Sequence, residues 1–139
     1  MRQAQTTLTI ETRGIALYDF THDVARAVTA SGIATGLATL FCRHTSASLL
    51  IQENADATVQ VDLLAYFARV APEDEHLYTH RLEGRDDMPA HLRAALTQSH
   101  LAIPIGNRHL LLGTWQGIYL FEHRRMPHSR EVVVHVIGE

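Results

Sequence analysis

The spacing of hydrophobic residues in the first half of the chain predicts strands that alternate with helices. Alternating hydrophobic and polar residues are typical of a half-buried strand, and recurrence every three to four residues is typical of a helix packed on one side. Gly32 and Pro72 are helix-ending residues, and each follows a stretch with helical spacing. The patterns predict strands over Thr6–Arg13 and Leu37–Arg43, an extended segment over His44–Ile51, a helix from Asp19 or Thr21 to Ser31, and a helix that opens near Asn54 or Asp56 and closes at Pro72.

The second half of the chain is predicted to contain a long loop, one helix and several consecutive strands. The segment from Pro72 to Asp87 is polar, and segments of this kind run over the protein surface. Proline is tolerated in the first turn of a helix, so the sequence around Pro89 predicts a third helix that runs to about Ser99. Gly106-Asn107-Arg108 marks a tight hairpin, and the strands predicted here are Leu101–Ile105, His109–Leu112, Gly117–His123 and Glu131–Ile137.

This order of elements indicates an α+β fold with about three helices. The connections between the last four strands are too short for parallel crossovers, so the sheet is expected to be mostly antiparallel. A chain of 139 residues has the length of one ordinary domain. We therefore expect a single domain over residues 1–139.

Composition excludes several classes of protein. A hydrophobic content of 46% is enough to form a core, so the chain is expected to fold and not to be disordered. The 12 basic residues are all arginine and the formal net charge is −3, so no broad surface for nucleic acid is expected and lysine-based Schiff-base or Walker chemistry is excluded. The single cysteine, Cys42, excludes a disulfide framework. No leader or membrane segment is visible, and we expect a soluble, cytoplasmic protein.

The first candidate site is the segment His44-Thr45-Ser46-Ala47-Ser48. If it is extended, its side-chain period of two places His44, Ser46 and Ser48 on one face. One imidazole and two hydroxyls can bind a phosphate or a carboxylate, or hold a metal-bound water. The alternative interpretation is the ordinary polar face of a half-exposed strand.

The second candidate site surrounds the start of the third predicted helix. His80, Glu83, Asp86, Asp87 and His91 supply enough nitrogen and oxygen donors for zinc or another divalent ion. Their spacing matches no standard zinc signature such as His-Glu-x-x-His. A solvated acidic loop with incidental histidines explains the same residues.

The third candidate site is the segment from Gly113 to His123, which contains the only tryptophan. Trp115 and Gln116 lie between two glycines, and they can form one wall and one polar anchor of a pocket. A bulged hairpin with a tryptophan in the core is the alternative. Glu122 shares a strand face with apolar residues, so its carboxylate should be paired, raised in pKa, or located at the strand end.

These three segments, in this order, closely resemble the YjbQ-type family, which is often labelled secondary thiamine-phosphate synthase. The residues that carry the resemblance are His44-Thr45-Ser46-Ala47-Ser48 with Gln52-Glu53-Asn54-Ala55-Asp56, then His80-Arg81-Leu82-Glu83-Gly84 through His91, and Leu112-Gly113-Thr114-Trp115-Gln116-Gly117-Ile118-Tyr119 with Glu122. The resemblance implies a small α+β domain that assembles as a homotrimer, a histidine-rich site that often binds a metal, and weak thiamine-phosphate synthase activity.

The resemblance assigns roles residue by residue. His44, His80 and His91 match the family's histidines and are the expected ligands of a divalent metal, zinc first and magnesium second. Ser46, Ser48, Asn54, Trp115, Gln116 and Glu122 match other characteristic polar positions of the family, whereas Glu83 and Arg130 are added for their own chemistry, as a base and as an anion ligand. The expected catalytic residues are thus Ser46, Ser48, Glu83 and Glu122, and the expected substrate-binding residues are Asn54, Trp115, Gln116 and Arg130. Many family members have Phe-Asp-Gly-Pro where this chain has His123-Arg124-Arg125-Met126-Pro127-His128, so no role is carried over to His123 or His128.

Three functions fit this set of residues. The first is a transferase that joins a pyrimidine methyl diphosphate to a thiazole phosphate, with a divalent ion, Arg130, Ser46 and Ser48 neutralising the departing pyrophosphate. The second is a metal-dependent hydrolase or lyase of a small phosphorylated or carboxylated compound, with Glu83 or Glu122 as base. The third is a trimeric binding protein that holds a ligand without converting it.

Overall fold

The computed structural model describes residues 1–139 and contains eight strands, three α-helices and one short 3-10 helix. The helices are α1 (Thr21–Ser31), α2 (Ala57–Val70) and α3 (Asp87–Leu96), and the 3-10 helix is Glu75–Leu77. The strands are β1 (Arg2–Thr12), β2 (Ala16–Asp19), β3 (Gly36–Cys42), β4 (Ala47–Glu53), β5 (His100–Gly106), β6 (His109–Leu110), β7 (Gln116–Glu122) and β8 (His128–Gly138). No helix combines the length and the apolar character that crossing a membrane requires.

The strands form two sheets in which every pairing is antiparallel. One sheet has five strands in the order β1-β8-β3-β5-β6, and the other has three in the order β2-β7-β4. The α+β class and the mostly antiparallel sheet are therefore confirmed. Only β5 and β6 are joined by a tight hairpin. Every other pairing joins strands that are far apart along the chain, so the antiparallel order of both sheets is set by the tertiary structure.

The core lies between α1 and the inner face of the five-stranded sheet and continues to the three-stranded sheet. Val24 and Val28 of α1 are fully buried there, together with alternating residues of β3, β5 and β8. Helix α2 packs separately, with Phe67 edge-to-face on Phe121 of β7 at a centroid distance of 5.2 Å. Both faces of the three-stranded sheet are thus covered, and the end of β7 lies close to the loop and helix that follow α2.

The two local turn predictions are confirmed by backbone geometry. Gly32 adopts a left-handed φ of 73° at the end of α1, as a helix-ending glycine does. Asn107 and Arg108 have positive φ values of 50° and 67°, and the register pairs Gly106 with His109. A two-residue hairpin loop requires this conformation because it matches the twist of the flanking strands.

Some predicted elements differ from the structure in their bounds, and one strand was missed. Strand β4 begins at Ala47, so residues 43–46 form a bend and not an extended strand. Helix α3 ends at Leu96 and not near Ser99. Strand β2 was not predicted, because four residues are too few for alternation to be recognised.

Candidate metal site

Four potential metal ligands converge where the long surface loop enters α3. They are His80, Glu83, Asp87 and His91, and one ligand atom from each lies within 4.8 Å of the others. His80 and Glu83 belong to the loop, while Asp87 and His91 belong to the first turns of α3. All four come from the second candidate segment of the sequence. A loop and a helix start therefore bring together two imidazoles and two carboxylates.

The carboxylate of Asp87 is the centre of this cluster. Its Oδ2 lies 2.6 Å from Nε2 of His80 and 3.0 Å from Nε2 of His91. Asp87 and His91 meet because residues four apart lie on the same side of a helix. The Asp87 side chain is only 3% exposed, whereas that of His80 is 42% exposed. The cluster thus has a buried carboxylate at its base and an imidazole that faces solvent.

The hydrogen bonds of His91 create a conflict at its second nitrogen. Its Nδ1 lies 2.9 Å from the backbone oxygen of Thr45, and a carbonyl can only accept, so Nδ1 carries a proton. In the neutral ring Nε2 is then an acceptor, yet it faces the carboxylate of Asp87 at 3.0 Å. Two acceptors repel each other. A proton on Nε2 or a cation shared with the carboxylate removes that repulsion.

Electrostatics at the cluster favour positive charge beside Asp87. The hydrogen bond to Asp87 raises the pKa of His80 above its usual value. Burial by itself would raise the pKa of Asp87, but the hydrogen bond from His80 and the positive groups around it lower that pKa. The carboxylate is therefore ionised at neutral pH.

His44 lies outside this cluster, which differs from the prediction that it is a metal ligand. Its Nε2 accepts a hydrogen bond from the backbone N–H of Glu131 at 2.7 Å. Its Nε2 is therefore engaged by β8, and burial, followed by the charge of Arg130, lowers the pKa of His44. The first candidate segment reaches the cluster instead through the backbone oxygen of Thr45.

Glu122 and Arg130 form a buried ion pair beneath the bend at residues 43–46. Glu122 is fully buried and Arg130 is 4% exposed. The guanidinium binds both carboxylate oxygens, at 2.7 and 2.5 Å, and Thr12 donates to the same carboxylate at 2.6 Å. Burial alone would raise the pKa of Glu122, but the hydrogen bonds from Arg130 and Thr12 lower it. Breaking such a pair costs about 3–5 kcal/mol of folding stability.

This position does not match the predicted roles of Glu122 as a base and Arg130 as an anion ligand. Both side chains are almost inaccessible, both oxygens of Glu122 are bonded, and Arg130 uses Nε and Nη2 for Glu122 and Ser46. Ser46 is also occupied, because its Oγ accepts from Arg130 at 3.0 Å. The three residues hold the bend at residues 43–46 in place.

Ser48 points to the other side of the three-stranded sheet, under α3. Its hydroxyl lies 2.8 Å from Nε2 of His123 and 2.6 Å from the hydroxyl of Thr97. Ser48 is 1% exposed and His123 is fully buried, so the predicted catalytic role of Ser48 does not match its position either. Burial, with the nearby charge of Arg93, lowers the pKa of His123 to about 3.

The predicted substrate-binding residues Asn54, Trp115 and Gln116 lie together at the opposite end of β7. The backbone N–H of Asn54 donates to the carbonyl of Trp115 at 3.0 Å, and the side chain of Gln116 accepts from Gly113. Trp115 is 63% exposed, which agrees with its predicted place outside the core. Strand β7 separates this end from the cluster of potential ligands by about 20 Å, at roughly 3.3 Å per residue.

Two residues of the site have weak or no signals in the sequence. The sequence names Asp87 among the donors but not among the three expected ligands, although its spacing of four before His91 in a predicted helix favours it. Arg124 could not be predicted, because it follows β7 and reaches Asp87 only through the tertiary structure. Asp86, named with the donors, turns away from the cluster and binds Arg124 and the backbone of Arg125.

The fold and the cluster define a small α+β protein with a histidine- and carboxylate-lined site at a helix start. The family model described as UPF0047 protein YjbQ-like matches residues 6–139. The chain belongs to this family. Its predicted resemblance is thereby confirmed over nearly the whole length.

Individual relatives and solved structures agree with this assignment. The chain is 56% identical to a UPF0047 protein of Synechocystis over 138 residues, covering 99% of this chain and 94% of the relative. It is 41% identical to the UPF0047 protein YjbQ of Escherichia coli O157:H7 over 75% of both chains. A YbjQ-like protein of unknown function from Sulfolobus solfataricus superposes with a TM-score of 0.87 at 25% identity, covering 99% of each chain.

The buried His123 makes a testable contribution to the pH dependence of stability. Its pKa is about 3 in the folded chain, against 6.5 for an ordinary histidine. Between these values the unfolded chain binds a proton that the folded chain does not, so the free energy of unfolding falls as the pH falls, by up to about 1.4 kcal/mol per pH unit. We expect His123→Phe to flatten this decline when urea unfolding is measured between pH 7 and 4.

The exposed His76 provides the matched control. His76→Phe should leave the decline of the wild type in place. An identical pH dependence for His123→Phe and the wild type would show that His123 is not held neutral by the fold.

Proposed function

We propose that His80, Asp87 and His91 bind a divalent metal ion, with Glu83 at the edge of the site. The observation that carries this proposal is the convergence of one ligand atom from each of these four residues within 4.8 Å. In the neutral ring of His91, Nε2 and the Oδ2 of Asp87, at 3.0 Å, are two acceptors that repel each other. A metal ion bound to both atoms converts this repulsion into two favourable bonds. The set replaces His44 of the sequence prediction with Asp87.

The donor chemistry fits zinc better than magnesium. Zinc binds imidazole nitrogen and carboxylate oxygen, and catalytic zinc sites use three protein ligands with one position open. Magnesium prefers oxygen ligands in an octahedral arrangement. The Thr45 carbonyl supports the site from outside, because it holds the proton on Nδ1 of His91 and leaves Nε2 free to ligate.

We further propose that the protein is a metal-dependent hydrolase or lyase of a small phosphorylated or carboxylated compound. A metal bound here would polarise an anionic substrate and activate a water molecule. Glu83 is the group suited to take the proton, because its side chain is 68% exposed and its Oε2 lies 3.5 Å from Nε2 of His80. The exposed side of the cluster, at His80 and Glu83, is where a substrate would enter.

The thiamine-phosphate synthase reaction ranks second for a structural reason. Its departing pyrophosphate needs several positive groups and hydroxyls, and Arg130, Ser46 and Ser48 were expected to supply them. Arg130 and Ser48 are buried, and Arg130 is paired with Glu122. We therefore propose thiamine phosphate formation only as a side activity.

Substitution of Glu83 separates catalysis from metal binding. We expect Glu83→Gln to retain the metal and to lose about 10²–10⁴-fold in turnover, which is the usual contribution of a general base. The measurement compares zinc-loaded wild type and variant on a panel of small phosphate esters and carboxylate esters, with pyrophosphate release from the two thiamine precursors as a parallel assay.

Each alternative has its own outcome in these assays. If pyrophosphate release from the thiamine precursors is faster than hydrolysis of the ester panel, the ranking of the two proposed activities is reversed. A zinc-loaded protein that converts none of the substrates but binds them would support the non-catalytic hypothesis.

Substitution of the ligands tests the metal site itself. We expect His91→Ala and Asp87→Ala to lower zinc affinity by more than the roughly 10–100-fold that loss of an outer hydrogen-bond partner costs. His44→Ala is the matched control and should leave the affinity nearly unchanged, because its Nε2 is bound to Glu131. Competition titration with a chromogenic chelator measures both. A large loss on His44→Ala with none on Asp87→Ala would restore the three-histidine set.

We also propose that the chain forms a homotrimer through the outer face of the five-stranded sheet. Leu37 and Phe41 of β3 and Ile137 of β8 lie on that face, and each is between 36% and 49% exposed. Leu37 and Ile137 are also directly opposite each other across the strand pair. Apolar residues grouped on one sheet face mark an interaction surface.

Light scattering measures this assembly directly. We expect a mass three times that of the 15.5 kDa chain, and Phe41→Glu should reduce it to that of one chain because it places a charge in the buried contact. A wild-type mass near that of one chain would contradict the trimer.

A further inference from the structure

Arg124 binds the buried carboxylate of the proposed metal site without being one of its ligands. Its guanidinium donates to Oδ1 of Asp87 at 2.5 Å, to Oδ2 of Asp86 at 3.1 Å, and to the backbone oxygen of Glu83 at 3.0 Å. The arginine side chain is 19% exposed and that of Asp87 is 3% exposed. One side chain therefore fixes a carboxylate of the cluster together with the backbone of the loop beside it.

Because of this contact, the two oxygens of Asp87 have different partners. Oδ1 is taken by Arg124, while Oδ2 alone faces His80 and His91. A carboxylate held in this way offers a metal one oxygen and not two. Binding through both oxygens would require Asp87 to break its contact with Arg124 inside a nearly buried pocket.

We infer that Arg124 positions Asp87 as a single-oxygen ligand and thereby selects zinc-like ions over calcium and manganese. Zinc is satisfied by four ligands, each contributing one atom. Calcium takes six to eight oxygen atoms and uses carboxylates that bind through both oxygens, and manganese prefers carboxylate and water oxygens to imidazole. The inference rests on the proposed metal site and adds the source of its selectivity.

Arg124 lies just after β7, between His123, which is fully buried, and Arg125. The next residue, Arg125, carries the same charge but binds Glu73 through its side chain, at 2.6–3.1 Å.

Arg124→Gln tests the positioning role, with Arg125→Gln as the matched control for loss of one positive charge in the same segment. Cobalt(II) serves as the spectroscopic probe for zinc, because its visible absorption reports ligand number and geometry. Affinities for cobalt, zinc, calcium and manganese are measured on wild type and variants. We expect Arg124→Gln to weaken zinc and cobalt binding about 10–100-fold, as loss of an outer hydrogen-bond partner does. The visible spectrum of bound cobalt should change, and the ratio of zinc affinity to calcium and manganese affinity should become smaller.

Arg124→Lys keeps the charge but has no planar fork to bind Asp86 and Asp87 together. The metal affinities and the selectivity of Arg124→Lys should lie between those of the wild type and of Arg124→Gln. Arg124→Lys also provides the measurement if Arg124→Gln does not fold. Unchanged affinities, spectrum and selectivity in the Arg124 variants, or an equal effect of Arg125→Gln, would overturn the inference while the metal site stands. A wild type that binds none of the four ions would overturn the proposed function as well.

Discussion

The ionised carboxylate of Asp87, almost fully withdrawn from water, is the constraint on which the arrangement of the site depends. An isolated charge in such a place is unfavourable, so positive groups and proton donors must surround it. The structure supplies Arg124 on one oxygen and the His80 imidazole on the other, where the ring of His91 also lies. These contacts draw together a surface loop, the start of α3 and the segment after β7, which are distant in sequence.

The end of β7 organises the parts around this carboxylate. Glu122 points into the core and pairs with Arg130, which also holds the bend at residues 43–46. His123 points to the other side and bonds to Ser48 beneath α3. Arg124 then reaches Asp87. Three consecutive residues thus set the bend, the floor under α3 and the carboxylate of the site, and two of them do so without contact with solvent.

The fold class and most elements could be predicted from the sequence because they depend on local patterns. The hydrophobic alternation, the helix-ending Gly32 and the hairpin at Asn107-Arg108 act within a few residues, and the structure contains each of them. The bend at residues 43–46 could not be predicted in this way. It is held by Arg130 and by the backbone of β8, more than 80 residues away in sequence.

The candidate site shows the same division. The residue types at the start of α3 predict a candidate site for a divalent metal, because imidazoles and carboxylates accumulate there and Asp87 and His91 share a helix face. Only the tertiary structure decided which polar residues face that site and which stabilise the interior. His44, Ser48, Glu122 and Arg130 have the chemistry of an active site, but their partners are backbone and side-chain groups from distant strands, and a sequence does not reveal whether a polar group is satisfied inside the fold or left open to a ligand.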